Sequence, residues 1–297
     1  MTVASPGLFD GKTVLVTGGG SGIGRAASQR LALEGARVVV ADIDLKAAER
    51  TVELIAASDG QAVATRADIA SEDDNRAMFD LAERHYGGID GAFLNAGILQ
   101  PYLPLAEVTT EMFDRVIGIN LRGTFLGVQQ ALARLRPGGA CVVTASLAAV
   151  TGFAEAASYS VSKHGLVGLV RSGAASFAAR GLRINAICPG MVMTAMNGMT
   201  GEDAILPLDR LLDPAYRGGL SAQQVAEVAL FLLGRGAVGI NGQVQNVDAA
   251  LLAAFPPFRS CNDGAGTTGS ATDPPRGRTL CGRCRSPRQG FVDAGAG

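Results

Sequence analysis

The sequence predicts an α/β fold, a doubly wound sheet of about seven parallel strands within one domain. Three observations predict it. From residue 12 to about 248, short apolar runs alternate with longer amphipathic stretches, the signature of successive βαβ units. A glycine-rich turn, Thr17-Gly18-Gly19-Gly20-Ser21-Gly22-Ile23-Gly24, joins the first apolar run to the first amphipathic stretch. No internal repeat of fixed period is present, which argues against a solenoid.

Taken in order, the apolar runs place strands near 12–17, 37–41, 61–66, 89–94, 138–145, 182–188 and 242–247. Helices begin near 22, 44, 71, 109, 157 and 221. Strand, glycine turn and helix start in that sequence make a dinucleotide-binding corner. The glycines allow the tight turn, the approach of backbone to a pyrophosphate, and close packing of helix on strand. Gly18, Ser21, Gly22, Ile23 and Gly24 would surround the phosphates, facing the N–H groups of the following helix. After the second apolar run comes Asp42, eighteen residues past Gly24, close to the roughly 20 expected of a ribose-binding carboxylate. Together these features predict a Rossmann fold.

Bulk composition narrows the partners. A formal net charge of −1 gives no reason to expect nucleic acid or a membrane surface. No stretch reaches the roughly 18 apolar residues of a membrane span, and Met1 to Asp10 does not read as a signal peptide. Cys141 and Cys188 lie in apolar runs, and Cys261, Cys281 and Cys284 lie near the end, which is not a disulfide framework. The expectation is a cytoplasmic setting. No metal site is expected.

Two further elements suit a nucleotide site. Asp68 follows the third strand, where a carboxylate could meet an adenine amino group. Asn95-Ala96-Gly97 ends the fourth strand, at the carboxyl edge where open α/β sheets bind ligands. Alone, each is an ordinary turn residue. Ser146 ends the strand Ala140 to Ala145, and thirteen residues later Tyr159 and Lys163 stand four apart at a helix start. Residues at that spacing share a helix face. A free phenol near pKa 10 is a poor base at neutral pH, and an adjacent ammonium would favour the phenolate. Such a pair could exchange a proton with an alcohol. His85 and His164 lack partners for a metal or nucleophilic site, and Ser158 and Ser160 read as helix caps.

These motifs resemble the short-chain dehydrogenase/reductase family in its common single-domain form. The matching positions are Thr17 to Gly24, Asp42, Asp68, Asn95-Ala96-Gly97, Asn120, Ser146, Tyr159, Lys163, Pro189-Gly190 and Thr194, in the family's order over residues 10 to about 250. The resemblance implies that Tyr159 is the general acid/base and that Ser146 hydrogen-bonds the substrate oxygen. It implies that Lys163 holds the ribose and lowers the Tyr159 pKa, and that Asn120 supports a water relaying protons to Lys163. Thr194 would hold the nicotinamide amide or the pyrophosphate, with Ile69 and Val192 also along the cofactor. A homodimer or homotetramer follows, built partly on helices 109–134 and 157–179. Asp42 argues for NAD, because a carboxylate accepts from both ribose hydroxyls and repels a 2′-phosphate. Ser21 and Ile43 offer no basic side chain to that phosphate.

The expected activity is therefore NAD-dependent interconversion of a secondary alcohol and a ketone. The rivals are an NADP-linked carbonyl reductase of 3-oxoacyl type and a nucleotide-binding sensor without turnover. The stretch from Met191 to Gly219 carries Met193, Met196, Met199, Ile205, Leu206 and Leu208 with few charges. Either it lids a hydrophobic substrate or it closes over the protein's own core. Beyond Asp248 the chain departs from the family pattern, running through Leu251-Leu252 into a stretch rich in Gly, Pro, Ser, Thr and Arg. This reading divides the chain into an arm over 1–10, a catalytic domain over 11–252 and an extension over 253–297. That extension is too poor in apolar periodicity to order itself, and its cysteines make only part of a zinc site. A disordered tail or a shifted reading frame accounts for it better than a metal module.

Overall fold

In the computed structural model of the chain, the described residues are 7–194, 196, 219–249 and 251–252. Seven strands form one sheet: β1 (Thr13–Thr17), β2 (Arg37–Asp42), β3 (Gln61–Arg66), β4 (Ile89–Leu94), β5 (Leu135–Thr144), β6 (Arg183–Pro189) and β7 (Val244–Val247). All pairs are parallel, in the order β3-β2-β1-β4-β5-β6-β7. The order reverses between β1 and β4, which opens a crevice at the carboxyl edge there.

Alternation along the strands feeds two cores, one on each face. Val14 and Val16 of β1, with Val38 and Val40 of β2, pack on one side with Leu31 of α1 (Gly22–Leu33). That side also holds Ile55 of α2 (Leu45–Ala56) and, through the last helix, Leu230. Leu15 and Val39 point the other way, to Phe79 of α3 (Glu72–Tyr86) and Leu166 and Phe177 of a long helix over Ala157–Ala179. Strands apolar on both faces read as continuous runs, as these do.

Most helix starts are set by local chemistry. Asp44 accepts from the N–H groups of Lys46 and Ala47, Ser71 from Asp74, and Thr109 from Met112. Ser221 and Gln224 form a reciprocal capping box at the start of the last helix (Ala222–Leu233). Between α4 (Thr110–Val116) and α5 (Thr124–Arg134) the backbone widens into a π-helical segment, Ile117–Gly123. The continuous helix expected over 109–134 is thus broken by a segment of wider turns. The 3.6-residue periodicity carries no signal for it, and such bulges gather at functional sites. The long helix is α6 and the last is α7. Ser158 and Ser160 do not cap α6: neither hydroxyl has a hydrogen-bond partner, and Ala156 at the cap position supplies none.

The first corner depends on Gly24. A methyl group there would stand 2.0 Å from the Gly18 carbonyl oxygen, a distance that only a shift of helix or turn can relieve. Gly24→Ala should cost about 2 kcal/mol or more of unfolding free energy, as overpacking against backbone does. The expected outcome is a lower urea midpoint with an unchanged m-value.

Candidate active site

A cleft of about 670 Å³ opens at the crevice. One end is lined by Gly18, Ser21, Gly22, Ile23, Asp42, Asp68 and Ile69, and its middle by Asn95, Ala96, Gly97, Ser146, Tyr159 and Lys163. Pro189, Gly190, Val192 and Thr194 complete the wall. Gly24, buried, packs against the Gly18 carbonyl instead. Asn120 also stands behind the lining, fully buried within the π segment.

The ends of the strands are stitched together by side chains. Thr17 Oγ1 accepts the N–H groups of Asn95 (3.0 Å) and Ala96 (3.2 Å). Thr144 Oγ1 donates to Asn95 Oδ1 at 3.1 Å, and the Thr144 carbonyl accepts Lys163 Nζ at 2.8 Å. Asn120 binds both backbone groups of Ile98, at 2.8 and 2.9 Å, and donates to Ser162 Oγ at 3.2 Å. Ser162 in turn donates to the Tyr159 carbonyl at 2.7 Å. The loop after β4 and the helix carrying Tyr159 are therefore held as one body.

At the end lined by the glycine turn, Asp42 Oδ2 accepts the Gly20 N–H at 2.9 Å and Oδ1 the Asp44 N–H at 3.0 Å. Two backbone donors thus fix the carboxylate against the glycine turn. Asp68 is anchored likewise, accepting the Ala70 N–H at 2.9 Å. The start of α1 has no acid in its first turn, and the Ser21 side chain makes no capping bond. An anion meets an open helix terminus there. These features fit a dinucleotide: a helix start for the pyrophosphate and a fixed carboxylate beyond it for a ribose.

Ser146 sits just past β5 and accepts the Ala148 N–H at 3.1 Å. Lys163 Nζ lies 5.6 Å from the centroid of the Tyr159 ring. Burial pushes the Lys163 ammonium down to about 8. Burial also pushes the Tyr159 phenol up, against a hydrogen bond with Ser146, while Tyr102 and Cys188 add to the rise. The expected lowering of the Tyr159 pKa by Lys163 is corrected here: loss of solvent dominates, and the phenol is held as an acid.

Several residues in and around the site escape sequence reasoning. Gln100, buried, accepts the Tyr159 N–H at 3.0 Å and so caps α6 from another loop. Tyr102 and Phe153 face the cleft as an edge-to-face pair. Leu251 and Leu252 also line it, their N–H groups bonded to the Asp248 carbonyl and carboxylate, both at 3.0 Å. A cap supplied from 59 residues away has no local signature. The stretch from Met191 divides: Val192 joins the core, while Met191 and Met196 face the cleft. Met199, Ile205, Leu206 and Leu208, and the tail cysteines, lie outside the described residues. The histidines play structural parts: His85 packs on Tyr86, and His164 Nδ1 pairs with the Ser160 carbonyl. Among the described residues, no group of His, Cys, Asp and Glu could hold a metal, and no helix is long and apolar enough to cross a membrane.

Comparison with known proteins identifies the family. A family model described as enoyl-(acyl carrier protein) reductase matches residues 18–250. The chain belongs to the short-chain dehydrogenase/reductase family, the nicotinamide-dependent oxidoreductases of this fold. It is 42% identical over 250 residues to 2,5-dichloro-2,5-cyclohexadiene-1,4-diol dehydrogenase of Sphingobium indicum, spanning 82% of this chain and 98% of that protein. It is 36% identical to cyclohexanol dehydrogenase of an Acinetobacter species, over 82% of this chain and 95% of that one. The crystal structure of levodione reductase superposes with a TM-score of 0.74 at 34% identity, covering 83% of this chain and 100% of that one.

The buried ammonium generates a test. Each pKa unit is worth about 1.36 kcal/mol, so a fall from 10.5 to about 8 amounts to roughly 3 kcal/mol against the charged fold. Between those values the unfolded chain keeps a proton that the folded protein has lost, so stability rises with pH there. Lys163→Met should melt no lower than the wild type at pH 7 and lack the rise between pH 8 and 10.5. Its turnover should fall at least ~10²-fold.

Proposed function

We propose that this protein interconverts a cyclic secondary alcohol and the corresponding ketone, with NAD as cofactor and Tyr159 as general acid/base. The observation that supports it is the meeting of Ser146, Tyr159 and Lys163 on one wall of the cleft whose far end is lined by Asp42 and the glycine turn. The ring preference draws on the relatives, whose names specify a cyclohexadiene diol and cyclohexanol. Apolar walls from Leu99, Leu147, Met191 and Met196 suit such a ring.

Each residue has a distinct task. Ser146 and Tyr159 hold the reacting oxygen between their hydroxyls. Tyr159 donates its proton to a ketone oxygen, or accepts one from an alcohol, and the nicotinamide supplies the hydride donor or acceptor when bound. Lys163 carries the adjacent positive charge and reaches toward the ribose. Asn120 holds the Ile98 loop against α6 and supports the water through which Lys163 exchanges protons. Gly18, Ser21, Gly22 and Ile23 receive the pyrophosphate. Asp68 and Ile69 receive the adenine, and Asn95, Ala96 and Gly97 receive the ribose beside the nicotinamide. Pro189, Gly190 and Val192 would hold the nicotinamide, and Thr194 its amide or the pyrophosphate.

Removing the phenolic hydroxyl tests the chemistry directly. Tyr159→Phe should lower kcat by ~10²-fold or more with cofactor affinity near normal. Activity within a few-fold of wild type would remove Tyr159 from the role.

Cofactor choice rests on Asp42. A carboxylate hydrogen-bonded by ribose hydroxyls gains about 1.5–3 kcal/mol per bond, whereas a 2′-phosphate meets like charge. Arg37 begins β2 at the opposite edge, donates to the Gly11 carbonyl and stacks over Tyr86, so it offers that phosphate nothing. A preference for NAD of roughly 10²-fold in kcat/KM is expected. Asp42→Ala should erode it mainly by weakening NAD, and equal turnover with NADP in the unmodified protein would refute the assignment.

A further inference from the structure

Beyond Ser146 and Tyr159 the cleft is walled by Leu99, Tyr102, Leu147, Phe153, Met196 and Leu252. Tyr102 comes from the loop after β4 and Phe153 from the loop after β5. Their rings meet edge to face, centroids 5.8 Å apart at 78°. The two loops are tied beside the pair by a hydrogen bond from the Leu103 N–H to the Glu155 carbonyl at 2.8 Å. The pair is therefore anchored, although Tyr102 and Phe153 remain 51% and 46% exposed.

Within this apolar wall the Tyr102 hydroxyl stands out, having no hydrogen-bond partner among the described residues. It also lies near enough to Tyr159 to raise the phenol's pKa further. Among the described residues, the charged ones lining the cleft are Asp42, Asp68 and Lys163, which belong to its cofactor end or to the surroundings of Tyr159, and the rest of the described wall is neutral. A neutral group that both donates and accepts, set in an apolar wall, matches a hydroxyl or carbonyl oxygen rather than a carboxylate or an ammonium.

We propose that Tyr102 is a specificity-determining residue whose hydroxyl binds a second oxygen carried by the ring substrate, away from the reacting carbinol. The inference rests on the ring-alcohol reading above. It makes the preferred substrates cyclic diols, hydroxyketones or diones over rings bearing one oxygen. A ring with carbon at that second position displaces water from the Tyr102 hydroxyl and returns no hydrogen bond. Sites built around a hydroxyl discriminate on this basis, while an apolar wall favours the added carbon.

The test uses full-length protein with NAD and two substrates of nearly equal size, 1,4-cyclohexanediol and 4-methylcyclohexanol, each as separated cis and trans isomers. Wild type should favour its better diol isomer by about tenfold in kcat/KM, the scale of one hydrogen bond. In Tyr102→Phe that ratio should fall about tenfold. A wild type that favours the methyl compound overturns the assignment of Tyr102, as does a ratio within twofold of wild type in the variant. The wild-type comparison stands by itself if the variant does not fold. Turnover of neither substrate with NAD or NADP overturns the ring-alcohol reading itself, and this inference with it.

Discussion

The constraint on which the site depends is the burial of the Lys163 ammonium. A cation taken out of water is costly unless its hydrogen-bonding capacity is met. Lys163 is 3% exposed and donates to one backbone carbonyl, that of Thr144. That carbonyl sits at the last residue of β5, where Thr144 pairs with Ile187 across the sheet. Gly97 keeps the space open, since a Cβ there would lie 3.4 Å from Nζ and 3.1 Å from Asn120 Oδ1. The same few atoms thus explain a glycine, a strand end and a depressed lysine pKa.

From that point the network runs outward through the strand ends to Thr17 and through the π segment to Ser162. Its bonds cross between strand ends, the loop after β4, the π segment and α6, so moving one member disturbs the others. Polar networks that link several elements in this way favour a single arrangement of the interior. The rigidity belongs to the surroundings of Lys163 and Tyr159 and to the strand ends beside the glycine turn. The walls beyond them come from loops, in keeping with a scaffold that holds the chemistry still while loops vary the substrate.

Much of this was legible in the residues. The seven strands and the helix starts near 44, 71, 109 and 221 follow from patterns of about 4–15 residues, the range over which propensity and capping act, although β5 begins at Leu135, earlier than its apolar run suggests. The glycine turn, Asp42, Ser146 and the Tyr159–Lys163 pair are readable because their spacing is set by one strand, one turn or one helix. What escaped is tertiary. The π segment has no periodic mark of its own, Gln100 reaches Tyr159 across a gap that no local pattern spans, and Leu251-Leu252 reads only as a departure from the family. The direction of the Tyr159 shift escaped for the same reason. A sequence shows the lysine four residues away but not the loss of solvent that outweighs it.

That shift bears on the direction of proton flow. A phenol kept neutral in an apolar cleft can give its proton to a carbonyl oxygen without first taking one from solvent. Accepting a proton from an alcohol requires the phenolate, which burial disfavours and which the nearby positive charge of Lys163 favours. With the Lys163 value near 8, that charge is mostly present at neutral pH and lost in mild alkali. Raising the pH therefore acts on two opposed terms: it draws the proton from Tyr159 while removing the charge that stabilises the resulting anion. In the proposed reaction a substrate oxygen seated between Ser146 and Tyr159 takes the phenol's proton directly.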